Sequence, residues 1–262
     1  MIERFKPEII IAVPSFLLKM IRFAKDNNID LSQCSLLKGI CIGEPIRESN
    51  LELNSLGKAI SSDLNIKLYS TYASTEMMTA FTECDEGRGG HLQEDLLFVE
   101  VLDKNGIEVK DGDSGEVVIT TLGVEAMPLL RYRTGDICTV YRAKCKCGRT
   151  SLRLGPVLGR KSQRLKVKGT TIFPSAIIEA VYAFKHVENF AIEVSLDEFN
   201  SDKLCLFVAD IFLQTSSLKE LKDFLKSKLL FTPEICVVEN RIINDKIGIN
   251  KNRKINRFID KR

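Results

Sequence analysis

The chain has 262 residues, of which 44% are hydrophobic and 28% are charged. This mixture suits one large or two modest folded domains and excludes collagen-like and disordered chains. The net charge of +3 gives no electrostatic case for nucleic acid. Since no apolar run approaches the roughly 20 residues needed to cross a bilayer, no membrane association is expected.

The eight cysteines bear on the expected compartment of the protein. Disulfide frameworks belong mainly to short secreted chains, and the N-terminal residues MIERFKPEIIIAV do not have the pattern of a signal peptide. We therefore expect a cytoplasmic protein, in which closely spaced cysteines are metal ligands or small core residues.

The first seventy residues alternate strand and helix patterns. Residues 8–14 are β-branched and continuous, which predicts a strand buried on both faces, and Pro14-Ser15 then begins an amphipathic helix. The apolar runs 36–42 and 66–69 predict two more strands, each followed by a loop of small or polar residues. This order predicts an α/β sheet whose ligands lie beyond the carboxyl ends of the strands.

From residue 96 the pattern changes to β-hairpins, with turn signals at Asn105-Gly106 and Asp111-Gly112. After residue 159 two helices, 174–184 and 217–229, are predicted among several strands, which indicates a small α+β domain. The charged C-terminal run 251–262 by itself fits a solvated tail.

The segment Tyr72 to Glu76 follows a predicted strand and presents an aromatic ring, two hydroxyls and a carboxylate. Hydroxyl and backbone N–H groups suit phosphate oxygens, and a carboxylate suits Mg²⁺. The same residue types also form helix N-caps with a capping-box acid, and this structural role is the more frequent one.

Asp136 follows Gly135 in the segment RYRTGD. An aspartate in this position could accept hydrogen bonds from both hydroxyls of a ribose. From these residues alone, an ordinary β-turn aspartate is the simpler interpretation.

Two short pairs of residues have the spacing of metal ligands. Cys84 and His91 are separated by six residues that include three glycines, and Cys145 and Cys147 lie in a tight Cys-x-Cys-Gly turn. Brought together, the pairs would form the Cys₃His set of a structural zinc site. The spacing leaves open that the four residues are unrelated, because buried free cysteines behave as small hydrophobes.

In this order the motifs resemble those of the adenylate-forming enzymes, specifically the phenylacetate-CoA ligase-like branch of the acyl-CoA synthetases. The Tyr-Gly-x-Thr-Glu loop of the family appears as YASTE at 72–76, with Ala73 in place of the usual glycine. A family Gly-Glu-Pro motif appears at 43–45, and PLLRYRTGD at 128–136 is similar to the ribose-binding segment.

The resemblance extends over nearly the whole chain. The interdomain hinge looks like GRKSQRLKVKGTTIFPS, where Ser162-Gln163 replaces the usual acidic pair, and the catalytic-lysine segment looks like NRKINRFID. The implied domains are 1–158, the C-terminal part of a large α/β adenylation domain with a β-rich subdomain, and 159–262, a small mobile α+β domain.

The resemblance implies roles for single residues. Tyr72 would stack on adenine beside Ala73 and Ser74, Thr75 would contact the α-phosphate, and Glu76 would help to hold Mg²⁺. The remaining implied site residues are Gly43, Glu44 and Pro45 near the acyl and adenine pocket, Asp136 on the ribose, Arg160 on the ribose or phosphate, and Lys254 as the catalytic lysine.

The implied activity is that of an AMP-forming acid–CoA ligase of the phenylacetate or aryl-acid type. Such an enzyme would use ATP, Mg²⁺, CoA and a small-molecule carboxylic acid, and the resemblance suggests a homodimer. The same branch has Cys and His at the positions of the two pairs above, which favours the interpretation that these four residues bind zinc.

One family motif, the Ser/Thr/Gly-rich loop that holds the ATP phosphates, is not found among these 262 residues. The chain therefore resembles the C-terminal portion of a longer ligase. The alternative to an enzyme is a non-catalytic, zinc-stabilised module, derived from such a ligase, that binds a nucleotide or a partner.

Overall fold

The computed structural model describes residues 2–31, 34–167, 170–184, 187, 189–197, 202–209, 217–248 and 255–262. The chain forms two compact units, Met1–Lys161 and Ser162–Arg262. The boundary between them lies three residues after the one expected from the sequence.

The described residues of the first unit form three helices and nine strands. They are α1 (Ile2–Phe5), β1 (Ile9–Ala12), α2 (Pro14–Asp26), β2 (Lys38–Ile42), α3 (Ser55–Leu64), β3 (Lys67–Ala73), β4 (Ala80–Thr82), β5 (Gly90–His91), β6 (Leu97–Leu102), β7 (Ser114–Thr121), β8 (Tyr132–Tyr141) and β9 (Arg153–Arg160).

These nine strands form one mixed sheet in the order β1-β2-β3-β4-β5-β9-β8-β7-β6. Strands β1, β2 and β3 are parallel, and every later pair is antiparallel. The predicted α/β fold with a β-rich part is therefore confirmed, and the change from parallel to antiparallel pairing occurs at β3.

Helices α2 and α3 cover one face of the parallel strands. Helix α2 begins at Pro14, whose fixed φ suits a first helical position, and buries a stripe of Leu17, Ile21 and Ala24. Helix α3 is capped by Asn54, whose side-chain oxygen accepts a hydrogen bond from the Gly57 N–H at 2.8 Å. Their apolar faces join those of β2 and β3 in one core.

The predicted burial of the first strand on both faces is wrong. Strand β1 lies at the edge of the sheet, where Ile10 and Ala12 pack against the core of α2 and α3. Ile9 and Ile11 point to the opposite face and are 52% and 64% exposed. Continuous aliphatic character does not say whether another layer covers the second face.

A short 3-10 helix, η1 (Lys161–Gln163), spans the boundary between the units. The second unit then contains β10 (Leu165–Val167), β11 (Thr170–Ile172), α4 (Pro174–Ala183), β12 (Phe190–Leu196), β13 (Asp202–Ala209), α5 (Leu218–Leu229), β14 (Glu234–Val238), α6 (Asn240–Ile247) and β15 (Phe258–Asp260). A four-stranded sheet, in the order β14-β13-β12-β15, has the main core with α4 and α5 on one face and a smaller cluster with α6 on the other.

The end of the chain is more ordered than its charge suggests. Phe258 pairs with Ile192 as part of a parallel contact between β15 and β12, and Phe258 is 7% exposed. The interpretation of residues 258–260 as a solvated tail is therefore wrong, because Phe258 packs in the main core and Ile259 packs against the smaller cluster. Helix α6 was not predicted from the sequence.

Among the described residues, no helix is both long enough and apolar enough to span a bilayer.

Candidate functional site

The YASTE segment belongs to a β-hairpin. Strand β3 continues through Tyr72 to Ala73, and Tyr72 pairs with Phe81 of β4 across the hairpin. The loop between the strands forms a turn in which the Ser74 hydroxyl accepts a hydrogen bond from the Met77 N–H at 3.3 Å. No helix follows, so the helix-cap interpretation of this segment is wrong.

The Tyr72 ring is half-buried against the core of the β-rich part. It stacks on Phe81 with ring centroids 5.8 Å apart and an interplanar angle of 28°. Burial raises the pKa of the Tyr72 phenol, and the nearby Cys138 and Asp136 raise it further. The phenol therefore stays protonated at neutral pH and can act as a hydrogen-bond donor.

Asp136 lies inside strand β8, beside an irregularity in its pairing with β7. Gly135 has a φ of 76°, which favours glycine and lets the strand bulge at this point. Asp136 itself is part of a strand and is only 6% exposed, so its interpretation as an ordinary β-turn aspartate is wrong. A buried carboxylate needs partners for its oxygens.

The hydrogen-bond partners of Asp136 come from strands β3 and β9. Tyr72 Oη donates to Asp136 Oδ2 at 2.9 Å, and Arg160 Nε donates to Asp136 Oδ1 at 3.0 Å. Arg160 lies directly opposite Asp136 on β9, and 62% of its side chain is exposed. Three residues that were singled out from separate motifs therefore form one hydrogen-bonded cluster.

Each carboxylate oxygen has a second lone pair, so Asp136 could still accept hydrogen bonds from a ligand. Two neighbouring hydroxyls, as in a ribose, match the two oxygens of one carboxylate. The Arg160 guanidinium adds a positive charge beside them, which suits a ligand that also carries phosphate.

Thr75 and Glu76 lie in the exposed part of the hairpin loop. The pKa of Glu76 is lower than usual because its own backbone N–H and Ser74 donate hydrogen bonds, and the charge of Arg160 lowers it further. An exposed, ionised carboxylate next to a hydroxyl is a suitable partial ligand set for Mg²⁺ with bound phosphates.

The Gly43-Glu44-Pro45 motif lies after strand β2, near the carboxyl end of β1. Both oxygens of Glu44 accept hydrogen bonds from Ser15, one from its N–H and one from its hydroxyl, each at 2.9 Å. Gly43 has a φ of 78°, which turns the chain so that Glu44 reaches the start of α2. Glu44 thus caps a helix, a role that the sequence analysis did not anticipate.

Lys254, the expected catalytic lysine, lies outside the described residues.

Cys84, His91, Cys145 and Cys147 form a second site. The possible ligand atoms of these residues all lie within 4.8 Å of one another. Cys84 Sγ and Cys145 Sγ are 3.7 Å apart, and Cys147 Sγ and His91 Nε2 are 3.6 Å apart. A tetrahedron with zinc–sulfur and zinc–nitrogen bonds of about 2.3 and 2.0–2.1 Å has edges of about 3.8 and 3.6 Å, so the cluster fits zinc.

Secondary structure holds the two ligand pairs in place. His91 lies in β5 between β4 and β9, and its Nδ1 is 3.2 Å from Ser151 Oγ, a contact that orients the ring. The Cys145 turn closes through a hydrogen bond from the Gly148 N–H to the Cys145 carbonyl at 3.0 Å. Arg153 donates to Arg88 O at 2.6 Å and Ala143 O at 2.9 Å, and so joins the two ligand loops.

The four residues of this cluster differ in their exposure to solvent. His91 and Cys145 are 3% and 4% exposed, whereas Cys147 is exposed. Burial raises the pKa of Cys84 to about 11, and hydrogen bonds from the Arg149 backbone and side chain lower the pKa of Cys147 to about 7. Ser151, Arg149 and Arg153 were not found from the sequence, since no short spacing links them to the cysteines.

Comparisons with known proteins agree on one kind of relative. No protein-family model matches the chain. A curated phenylacetate-coenzyme A ligase from Thermus thermophilus is 32% identical over 191 residues, which are 71% of this chain and 42% of that protein. A phenylacetate-coenzyme A ligase from Escherichia coli is 30% identical over 201 residues, which are 74% and 44% of the two chains.

Solved structures show the same fold. A crystal structure of 2-hydroxyisobutyryl-CoA ligase in the postadenylation state, in complex with R3-HIB-AMP, matches with a TM-score of 0.80 at 22% identity. The match covers 100% of this chain and 56% of that chain. The chain spans about two fifths of the length of the curated relatives that it matches.

Proposed function

We propose that the chain forms part of an AMP-forming acid–CoA ligase, because it belongs to the phenylacetate-CoA ligase-like branch of the adenylate-forming enzymes. Such a ligase uses ATP to convert a carboxylate into an acyl-adenylate and then transfers the acyl group to CoA. Phenylacetate or a related aryl acid is the proposed substrate class, because the curated relatives are phenylacetate-coenzyme A ligases.

The cluster around Asp136 supports this proposal most directly. A buried carboxylate whose two oxygens are held by Tyr72 and Arg160 is preorganised to receive a diol. In the proposed site, Asp136 binds the ribose hydroxyls and Arg160 binds the ribose or the phosphate. The Tyr72 ring provides the adenine-stacking surface.

The exposed loop supplies the phosphate and magnesium contacts in the same proposal. Thr75 meets the α-phosphate, and Glu76, ionised at neutral pH, contributes to Mg²⁺ binding. Lys254 would bridge the acid and the α-phosphate and offset negative charge that builds in the transfer. We also propose that the ligase is a homodimer, as the resemblance suggests.

We also propose that Cys84, His91, Cys145 and Cys147 hold a structural zinc ion. The Cys84–Cys145 and Cys147–His91 distances of 3.7 and 3.6 Å match the edges of a tetrahedral zinc site, and the four ligand atoms lie within 4.8 Å of one another. Four protein ligands would leave no open position for a substrate. Zinc would join the glycine-rich loop before His91 to the turn that contains Cys145 and Cys147. Its proposed role is therefore to fix two loops beside the hairpin β3–β4.

The second candidate function is a non-catalytic, zinc-stabilised module that binds a nucleotide or a partner. The observation that favours it is the cluster of Cys84, His91, Cys145 and Cys147, since a closed metal site can stabilise a fold without taking part in catalysis. The two candidates differ in whether the chain takes part in adenylate formation.

Two measurements on the purified chain test the proposal. Calorimetric titration with a phenylacetyl-adenylate analogue, AMP and ATP measures the nucleotide site, and metal analysis of the same sample measures zinc. We expect saturable analogue binding that is stronger than AMP binding, with one zinc per chain. Absence of analogue binding would contradict the proposed nucleotide site, and absence of zinc would contradict the metal site separately.

A third measurement separates the two candidates. ATP–pyrophosphate exchange with phenylacetate reports adenylation, and Lys254→Ala is the matched variant that removes only the proposed catalytic amine. Exchange that depends on Lys254 favours the ligase. Because the loop that holds the ATP phosphates is not found among these 262 residues, exchange is also measured with the unmatched part of a curated relative added. Analogue binding without exchange in that mixture favours the non-catalytic module.

A further inference from the structure

Two cysteines of the second unit, Cys205 and Cys236, meet on one face of its four-stranded sheet. Strands β13 and β14 are parallel, with Cys205 opposite Glu234 and Phe207 opposite Cys236. Side chains two positions apart along a strand point to the same face, so the two cysteines lie diagonally across the strand pair. Their Sγ atoms are 2.7 Å apart, although the residues are 31 positions apart in the chain.

The distance between the two sulfurs indicates which chemistry the pair can perform. In the cluster proposed to hold zinc, Cys84 Sγ and Cys145 Sγ are 3.7 Å apart, near the edge of about 3.8 Å that two sulfurs form on one zinc ion. At 2.7 Å, the sulfurs of Cys205 and Cys236 are too close to share a tetrahedral metal ion. Among the described residues, no third cysteine, histidine or carboxylate joins them in a possible metal set. A direct bond between the sulfurs, at about 2.05 Å, needs only a small further approach.

A small solute can reach the pair. Both cysteines are partly exposed. Beside them, Lys203 Nζ and Glu234 Oε2 form an ion pair at 3.1 Å, and the two side chains are 55% and 53% exposed. The thiols therefore border an open, polar surface.

The surroundings favour one thiol as the first to react. Burial raises the pKa of Cys205 to about 12, and Cys236 and the charges of Glu234 and Glu193 raise it further. Cys205 therefore stays protonated at neutral pH. The Lys203 ammonium lies near both sulfurs, because they contribute, after Glu234, to the raised pKa of Lys203. A nearby cation favours a thiolate, and with Cys205 protonated that thiolate forms on Cys236.

The two cysteines also connect an edge strand to the rest of its sheet. Strand β14 is the first in the order β14-β13-β12-β15, so among the described strands it pairs with β13 alone. A strand that is held by one ladder opens more readily than a central strand. A covalent link between Cys205 and Cys236 would close a loop that contains helix α5 and would remove open conformations of the edge strand.

We propose that Cys205 and Cys236 are an oxidation site, at which a small-molecule disulfide converts the two thiols into a disulfide bond that fixes β14 to β13. The Cys236 thiolate attacks one sulfur of the small disulfide, and a first small thiolate leaves. Cys205 then loses its proton as its sulfur attacks the Cys236 sulfur, and the second small thiolate leaves.

Atoms and electrons balance in this exchange. The protons of the two cysteines go to the two released thiolates. The cysteine pair is oxidised by two electrons, and the small disulfide is reduced to two thiols. The inference is independent of the proposed ligase function, because it uses no residue of the nucleotide site or of the zinc cluster.

Peptide mapping tests the site directly. The chain, purified in the presence of zinc, is incubated with an excess of glutathione disulfide, alkylated at its remaining thiols and digested with trypsin without reduction. Cys205 falls in the tryptic peptide 204–219 and Cys236 in the peptide 229–241, and neither peptide contains another cysteine. We expect these two peptides to be joined by a disulfide. Unmodified peptides, peptides that carry only glutathione, or links to other cysteines instead would overturn the proposal.

Cys205→Ser and Cys236→Ser should each abolish the joined peptides. Cys34→Ser is the matched control, because Cys34 is also a partly exposed free cysteine, and it should leave the joined peptides unchanged. Mapping of the unsubstituted chain decides the proposal even if a variant fails to fold.

Amide hydrogen exchange tests the effect on the edge strand. Exchange at residues 234–238 should be at least about tenfold slower in the oxidised chain than in the reduced chain. In Cys205→Ser the oxidant should not change it. Equal exchange rates in the oxidised and reduced chains would overturn the proposed fixing of β14.

Discussion

The Tyr72 hydroxyl donates a hydrogen bond to the Asp136 carboxylate at 2.9 Å, although the two residues are 64 positions apart. The contact joins the hairpin β3–β4 to strand β8, and Arg160 holds the other carboxylate oxygen from β9. The proposed nucleotide site is therefore built across three separate parts of one sheet.

Asp136→Asn is expected to weaken binding of the phenylacetyl-adenylate analogue at least about tenfold, which corresponds to about 1.4 kcal/mol. The amide keeps the size of the side chain but offers one acceptor instead of two and removes the charge opposite Arg160. Calorimetric titration measures the change. Asp63→Asn, which removes the carboxylate of the exposed Lys25–Asp63 ion pair, is the control, and equal affinity in Asp136→Asn would contradict the assignment.

Cys84→Ser is expected to reduce the zinc content from one per chain to near zero and to lower the melting temperature by several degrees. A serine hydroxyl is a poor zinc ligand, and losing the metal frees the two loops that it joins. Metal analysis and thermal melting provide the measurements. Cys34→Ser should leave zinc unchanged, since Cys34 is not among the clustered ligand residues; the same zinc content in both variants would exclude Cys84 as a ligand.

Gly90→Ala is expected to destabilise the chain by about 1–3 kcal/mol, because the backbone of the neighbouring strand β4 leaves no room for a side chain at this position. A Cβ at this position would lie 2.7 Å from the backbone carbon and oxygen of Phe81. Urea unfolding measures the loss. At Gly155, another strand glycine, the nearest atom to a new Cβ is Tyr141 Cε2 at 3.4 Å, so Gly155→Ala should have a smaller effect; a reversed order would contradict the packing.

Glu116 is expected to make stability depend on pH in the acid range. Burial raises the pKa of Glu116, but hydrogen bonds and charges from Lys161 and Arg133 outweigh it, and the net pKa is lowered. A carboxyl with a lowered folded pKa stabilises the protein above its unfolded pKa, and this contribution is lost as pH falls through the folded value.

Glu116→Gln should therefore cost on the order of 1 kcal/mol at pH 7, a modest value because both cations are about half exposed. The cost should shrink as pH falls below about 4.5. Urea unfolding at several pH values measures it, with the exposed Glu125→Gln as control. A cost that does not change with pH would show that the ion pairs do not stabilise the fold.

Local patterns in the sequence predicted most elements. Pro14 and Pro174 each begin a helix where fixed φ allows it, and the β-rich change after residue 96 follows from turn signals that act over a few residues. The positions of the four possible zinc ligands could also be read from the sequence, because each pair has short spacing. Signals of this kind depend only on residues close together in the sequence, so they can be recognised without knowledge of the fold.

The tertiary structure decided which of these residues meet and what covers them. Tyr72, Asp136 and Arg160 come together only through the pairing of β8 with β9 and of the hairpin with the sheet, and strand order is not encoded in any short motif. Ile9 and Ile10 are chemically identical, yet one is exposed and the other packs on a core. Burial depends on the layer that faces a side chain, and that layer comes from residues far away in the chain.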